Sequence, residues 1–165
     1  MFWKRHDEAK RLPRLALCCA DSDMTRASAD ALARRGLCEP IALLADTPQN
    51  ILWLCRRAKP DLLLLEALPD SMERFDDPDK DIAGRCETAA RVQEEVPGCR
   101  AYLTCAEEFR HLEPVMRKAV ENSLISGYCF GALTGQQLEL WLGEFPANHP
   151  LKGGTSCNEN TSPSA

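Results

Sequence analysis

Three polar groups follow apolar runs of this sequence, at places where a buried strand would end. Asp21-Ser22-Asp23 follows the run 15–20, Glu66 follows four leucines, and Thr104 follows a later apolar run. Two nearby carboxylates suit a hard cation such as Mg²⁺, and a threonine hydroxyl could donate to an oxygen beside them. Each residue alone also has an ordinary explanation, because an aspartate can cap a helix or lie in solvent and a threonine is common in strands. Only the expected meeting of the three groups at one place predicts a site.

Short apolar runs that alternate with amphipathic segments position these groups. The pattern predicts strands over 15–20, 41–45, 61–66, 100–105 and 125–130, and helices over 23–35, 48–59, about 82–95, 106–122 and 135–142. Five strands alternating with helices predict an α/β fold with a doubly wound five-stranded parallel sheet. Functional residues in such sheets lie at the carboxyl ends of the strands, which selects Asp21, Glu66, Thr104 and Gly131.

Composition divides the chain into one domain and two polar ends. Residues 1–14 form a short basic arm, 15–145 the domain, and 146–165 a segment rich in Pro, Gly, Ser, Asn and Thr that we predict to be disordered. The N-terminus lacks the apolar stretch of a signal peptide, and no apolar run reaches the roughly 20 residues of a membrane span. We therefore expect a cytoplasmic protein with no membrane association.

The charge and the cysteines exclude several classes of protein. A net charge of −5 argues against a general nucleic-acid binder, which needs a basic surface to displace counterions. The nine cysteines are odd in number and form no C-x-x-C pair, so they indicate neither a disulfide framework nor a zinc site. We expect them to be small buried hydrophobic residues in a reducing compartment.

Four segments together resemble a known protein family. They are Leu-Ala-Leu-Cys-Cys-Ala-Asp at 15–21, Lys-Pro-Asp-Leu-Leu-Leu-Leu-Glu at 59–66, Ala-Tyr-Leu-Thr at 101–104 and Gly-Tyr at 127–128. With this spacing the chain resembles the receiver domains of bacterial two-component response regulators, especially those of sporulation-type regulators from spore-forming anaerobes. The resemblance implies a flavodoxin-like (β/α)5 receiver fold and a role in phosphorelay signal transduction. Members of that family bind Mg²⁺ with an acidic pair and accept a phosphoryl group on an Asp that a Lys and a Thr or Ser assist.

The sequence departs from that pattern at three functional positions. Glu66 occupies the phosphoacceptor position with a side chain one methylene longer than Asp. Ser22 replaces the second acid of the metal pair, which leaves Asp21 and the displaced Asp23, and Gly131 replaces the Lys after strand five. We therefore predict a degenerate receiver that is not phosphorylated, is not an enzyme and needs no cofactor; an Mg²⁺ site at Asp21, Ser22 and Asp23 is left open.

Two positions match family residues that respond to phosphorylation but do not accept the phosphoryl group. Thr104 and Tyr128 correspond to the pair that couples phosphate occupancy to the face formed by helix four, strand five and helix five. The permanent charge of Glu66 would hold such a pair in one state; alternatively, Tyr128 is a strand aromatic with its hydroxyl at the surface. We expect a regulatory protein partner on that face, within residues 116–142, where Trp141 is either an anchor or a core residue. The sequence leaves a homodimer open.

Parts of the sequence also match three other functions. Asp21-Ser22-Asp23-Met24-Thr25 resembles the nucleophile motif of haloacid dehalogenase-like Mg²⁺-dependent phosphatases, in which Asp21 would attack phosphate and Asp23 act as acid and base. Thr104 and Lys118 could serve as further members of that motif, but no acidic pair follows them. The acidic segment 66–81 lacks the glycine of a Ca²⁺ loop and is predicted to be a solvated loop. Direct DNA binding is not expected, because the basic arm is small.

Overall fold

The computed structural model describes residues 11–18, 23–45, 47–67 and 77–143. Within these ranges strands and helices alternate. The elements are β1 (Arg14–Cys18), α1 (Asp23–Arg34), β2 (Glu39–Ala42), α2 (Pro48–Ala58), β3 (Leu62–Glu66), α3 (Pro78–Glu95), β4 (Arg100–Cys105), a 3-10 helix (Glu107–Leu112), α4 (Glu113–Glu121), β5 (Gly127–Phe130) and α5 (Gly135–Gly143). None of the helices in the described ranges has the length and apolar character to cross a membrane.

All five strands are parallel and lie in the order β2-β1-β3-β4-β5. β1 therefore lies inside the sheet, with β2 on one side of it and β3, β4 and β5 on the other. Parallel neighbours need a crossover connection, and a helix supplies it. The predicted doubly wound α/β fold is confirmed.

Helices cover both faces of the sheet, and the leucine run of β3 shows how. Leu63 and Leu65 point into the core beneath α2, α3 and α4, whereas Leu62 and Leu64 point into the core beneath α1 and α5. Successive side chains of a strand alternate between faces, so a strand covered on both sides is apolar at every position. All four leucines are buried.

Two helices begin after a capping threonine. Thr47 accepts a hydrogen bond from the backbone N–H of Asn50 at 3.3 Å, and Pro48 follows as the first residue of α2. Thr134 accepts one from the N–H of Gln137 at 3.1 Å and so begins α5. These side chains satisfy N–H groups that the first helical turn leaves without a partner.

Within the described ranges, the start of two strands differs from the prediction by two residues, and the starts of β1 and β3 differ by one. β2 was expected over 41–45 but runs from Glu39 to Ala42, because Arg14 and Glu39 are the first register pair with β1 and the Glu39 N–H donates to the Pro13 carbonyl at 2.9 Å. β5 begins at Gly127 rather than at residue 125. The limits of a strand follow the backbone partner beside it, which an apolar run does not reveal.

Two helices also differ from the prediction. α3 begins at Pro78, several residues before the predicted start, because Asp77 caps it by accepting from the Lys80 N–H at 3.3 Å. The single helix predicted over 106–122 is a 3-10 helix followed by α4, with non-helical dihedral angles at Phe109 (φ −101°, ψ 17°).

Asp61 attaches the start of the described chain to the sheet. Both oxygens of its carboxylate accept from the Arg11 guanidinium, at 3.0 and 3.1 Å, and one also accepts from the Arg14 N–H at 2.8 Å. The Arg14 guanidinium donates to the Ala58 carbonyl at 2.6 Å. Two basic residues assigned to the arm are thus used within the fold, and residues 1–10 lie outside the described ranges.

The seven cysteines within the described ranges are buried and form no disulfide. Burial is the main cause that raises the pKa of Cys38 to about 11 and that of Cys55 to about 12. A raised pKa keeps a thiol protonated and unreactive at neutral pH. The expectation of small buried hydrophobic residues is confirmed for these seven; Cys19 and Cys157 lie outside the described residues.

Trp141 is a core residue and not a surface anchor. Only 1% of it is exposed, and its indole ring stacks on Tyr102 with ring centroids 4.4 Å apart and planes 21° apart. The contact fixes α5 to β4. Of the two interpretations of Trp141, core packing is therefore correct.

Replacing Trp141 with alanine tests the weight of this contact. We expect the free energy of unfolding to fall by about 3–5 kcal/mol, because the change leaves a large cavity between α5 and the sheet. Urea denaturation followed by circular dichroism measures it. Trp53→Ala is the matched control: 53% of Trp53 is exposed on α2, so its loss should cost about 1 kcal/mol or less. Equal losses in the two variants would contradict the packing described here.

Candidate functional site

The sheet brings two of the predicted site residues together. Glu66, the last residue of β3, pairs in register with Thr104 of β4, and the Ala67 N–H donates to the Thr104 carbonyl at 2.8 Å. Neighbouring strands lie about 4.8 Å apart, and both side chains continue the rows that face α1 and α5. Thr104 is buried and Glu66 is half-buried. A carboxylate and a hydroxyl thus stand side by side at the carboxyl edge of the sheet.

The predicted metal ligands are not placed by this structure. Asp21 and Ser22 lie outside the described residues, and Asp23 is described only as the backbone of the first residue of α1. Elsewhere, the described part of the chain contains no cluster of three His, Cys, Asp or Glu residues suited to a metal ion. The Mg²⁺ site and the phosphatase motif, which both depend on Asp21 and Asp23, stay predictions.

Gly131 follows β5 in a conformation that favours glycine. Its φ is +83°, and its N–H donates to the Cys105 carbonyl at 2.9 Å. A Cβ atom at this position would lie 3.7 Å from Oε1 of Glu107, which is an ordinary contact, so the restriction comes from the backbone and not from crowding. L-residues other than Asn and Asp rarely adopt positive φ. A lysine at this position would therefore strain the present backbone.

The described side chains next to this edge are mainly acidic. The charges of Glu66 and Glu108 contribute, after burial, to raising the pKa of the Cys105 thiol to about 12. Arg110 pairs with Glu107 through Nη2 and Oε1 at 2.9 Å. The hydrogen bond from Arg110 holds the pKa of Glu107 below its ordinary value. The guanidinium of Arg110 is thus already engaged by a carboxylate.

Tyr128 is tied to the first residue of α4. It is 2% exposed, and its hydroxyl donates to Oε2 of Glu113 at 2.8 Å. Its ring packs edge-on against Phe130, with centroids 5.9 Å apart, and Arg117 lies 3.8 Å from the same Glu113 oxygen. The alternative that its hydroxyl lies at the surface is wrong. Burial and the hydrogen bond to Glu113 raise the pKa of Tyr128 to about 12.

Sequence reasoning missed Glu113, Glu107 and Arg110. Glu113 precedes Tyr128 by 15 residues, and no spacing rule connects a helix start to a strand at that separation. The available signal was weak, since an acidic residue in a first helical turn is usually explained by the helix dipole. Arg110 lies over the ring of Phe130, 5.3 Å from its centroid, which only the tertiary structure reveals.

Comparison with known proteins identifies the fold. No family model matches the sequence, and no curated protein matches it. Among solved structures, it is similar to a response regulator from Thermotoga maritima, with a TM-score of 0.58 and 15% identity over 82% of this chain and 98% of that one. The receiver domain of the putative response regulator NarL from Mycobacterium tuberculosis matches with a TM-score of 0.56 and 18% identity, over 80% of this chain and 94% of that one. A LuxR-family DNA-binding response regulator from Staphylococcus aureus matches with a TM-score of 0.57 and 14% identity, over 84% of this chain and 100% of that one.

These similarities, together with the strand order, show that the chain has the fold of a response-regulator receiver domain. At such low identity the similarity shows the backbone fold alone. The chemistry of the strand ends depends on this chain's own residues there.

The hydrogen bond from Tyr128 makes the free energy of unfolding depend on pH in the alkaline range. The unfolded chain loses the phenolic proton near pH 10, whereas the folded protein keeps it to about pH 12. The contribution of Tyr128 to the free energy of unfolding is therefore full below pH 10 and is lost as the pH rises to about 12.

Tyr128→Phe should lower the free energy of unfolding by about 1–3 kcal/mol at neutral pH, since a hydrogen bond to a carboxylate is lost. Denaturant melts of both proteins from neutral pH to pH 12 measure the effect. The difference between them should shrink above pH 10, and a difference that stays constant would contradict the Tyr128–Glu113 bond. Other groups that titrate in this range are common to both proteins.

Proposed function

We propose that this protein is an atypical receiver domain that acts in phosphorelay signalling by binding a regulatory protein, without being phosphorylated and without catalytic activity. The observation that carries the proposal is the position of Glu66, in register with Thr104 at the strand end where the family accepts a phosphoryl group. Such a role belongs in the cytoplasm. The sporulation-type resemblance supports the same class of circuit.

The chemistry around Glu66 favours a receiver that cannot be phosphorylated. An acyl phosphate on glutamate would lie one methylene further from the β3 backbone than one on aspartate. The family's lysine is absent, and φ of +83° at Gly131 disfavours its simple reintroduction. Glu108 adds negative charge close by. Each difference opposes the accumulation of a dianion, and like charges in a half-buried site repel strongly.

The same residues suit a domain held in one signalling state. When it is ionised, Glu66 carries a negative charge at the position where a phosphoryl group would carry one in a phosphorylated receiver. The inward Tyr128 ring and its bond to Glu113 connect β5 with α4. The face that we propose for the partner is formed by α4, β5 and α5. Its exposed side chains include Arg117, Lys118 and Leu140. A homodimer through this face is the alternative to a different partner.

Amide NMR with Mg²⁺ and beryllofluoride, a mimic of an acyl phosphate, tests the loss of phosphorylation. We expect no chemical-shift changes at Glu66, Thr104 or Tyr128, and no mass increase after incubation with acetyl phosphate. Shifts at these residues, or a phosphorylated product, would overturn this part of the proposal. Mg²⁺-dependent hydrolysis of a generic phosphate ester would overturn the assignment as a non-enzyme.

A restored variant serves as the control. Ser22→Asp and Glu66→Asp together rebuild the family's acidic pair and acceptor and leave the positive φ of Gly131 undisturbed. We expect this double variant to respond to beryllofluoride more strongly than the wild-type protein. Glu66→Gln in the wild-type background should shift the resonances of Tyr128 and α4, because it removes the proposed constant charge; unchanged resonances would contradict the fixed state.

A further inference from the structure

The outer side of α2 carries an exposed tryptophan with an arginine stacked on it. Trp53 is 53% exposed, and the Arg57 guanidinium carbon lies 4.8 Å from the centroid of its ring. The two residues are four apart, so they occupy adjacent turns on the side opposite Ile51, Leu52 and Cys55, which α2 buries against the sheet. We call Trp53 and Arg57 the α2 patch.

The α2 patch is positively charged in an acidic protein. Residues 47–60 contain three cations and no acidic residue, whereas the whole chain has a net charge of −5. Arg56 is neutralised by Glu95 of α3, through a hydrogen bond of 2.6 Å. Among the described residues, Arg57 has no acidic partner, and its guanidinium contacts the Trp53 ring instead. The basic end of α2 thus carries a local positive charge, in contrast to the negative net charge of the whole chain.

The composition of the α2 patch is typical of an interface centre. Tryptophan and arginine are the residue types that most often dominate binding energy, and a stacked guanidinium keeps its donors for a carboxylate. The stack also holds both side chains in place before binding, which lowers the entropy lost on association. More than half of the Trp53 indole thus remains available to a partner.

We propose that the α2 patch is a docking site for an acidic segment of a partner protein that presents an apolar or aromatic side chain to Trp53 and a carboxylate to Arg57. Charge complementarity argues for this occupant. A single-stranded nucleic acid could also stack on Trp53. The protein's net charge disfavours it, because nucleic-acid binding needs many cations along a backbone path.

This site is separate from the face proposed above. α2 covers the sheet beside α3, whereas α4, β5 and α5 lie toward the β5 edge. The inference therefore goes beyond the proposed function, and either one can fail without the other.

A selection from a random-peptide display library tests the proposal with the full chain as bait. The parallel bait is the Trp53→Ala, Arg57→Glu double variant. We expect the wild-type protein to enrich peptides that combine Asp or Glu with Phe, Trp or Leu, and the double variant to lose that enrichment. No enrichment beyond that of the double variant, or enrichment of neutral or basic peptides, would overturn the proposal.

The most enriched peptide is then titrated into the labelled protein and followed by amide and indole NMR. Shifts should centre on the Trp53 indole, and affinity should fall at least tenfold in Trp53→Ala and in Arg57→Glu and decline with added salt. Arg26→Glu on α1 is the matched charge control and Leu140→Ala the matched apolar control; both should bind as the wild type does. Equal weakening by the controls, or tighter binding of single-stranded oligothymidine than of the peptide, would refute the assignment.

Discussion

Burial of β3 on both faces is the constraint on which the rest of the structure depends. Its four leucines alternate between two cores, so the strand can carry no polar side chain until it leaves the cover of the helices. That point is Glu66. The same condition applies to β4, where Thr104 comes near the end of a row of buried residues. The parallel register of β3 and β4 then places these two polar groups side by side.

Side-chain hydrogen bonds join the sheet to two of its helices. At the amino edge, the Gln93 side chain accepts from the Ala101 N–H at 2.9 Å and from the Ser126 hydroxyl at 2.7 Å, which joins α3 to the starts of β4 and β5. The Tyr128 hydroxyl donates to Glu113 and so joins β5 to α4.

The two proposals rest on charges of opposite sign. Glu66 and Glu108 lie near the carboxyl edge of the sheet, and we propose that their charge opposes phosphoryl transfer. The α2 patch is basic and carries an exposed indole, and we propose that it binds an acidic partner. Together the proposals describe a receiver fold used for binding, with one surface connected to Glu66 through Tyr128 and another independent of it.

The sequence alone determined the fold class, the helix caps at Thr47 and Thr134, and the meeting of Glu66 with Thr104, because apolar runs, capping residues and strand ends are local properties. Only the tertiary structure decided that Trp141 belongs to the core, that Glu113 is the partner of Tyr128, and that the predicted fourth helix divides into a 3-10 helix and α4. Those outcomes depend on contacts between residues far apart in the chain. A tryptophan such as Trp141 suits a surface anchor and a core position equally well, and the residues that surround it in the folded protein decide between the two.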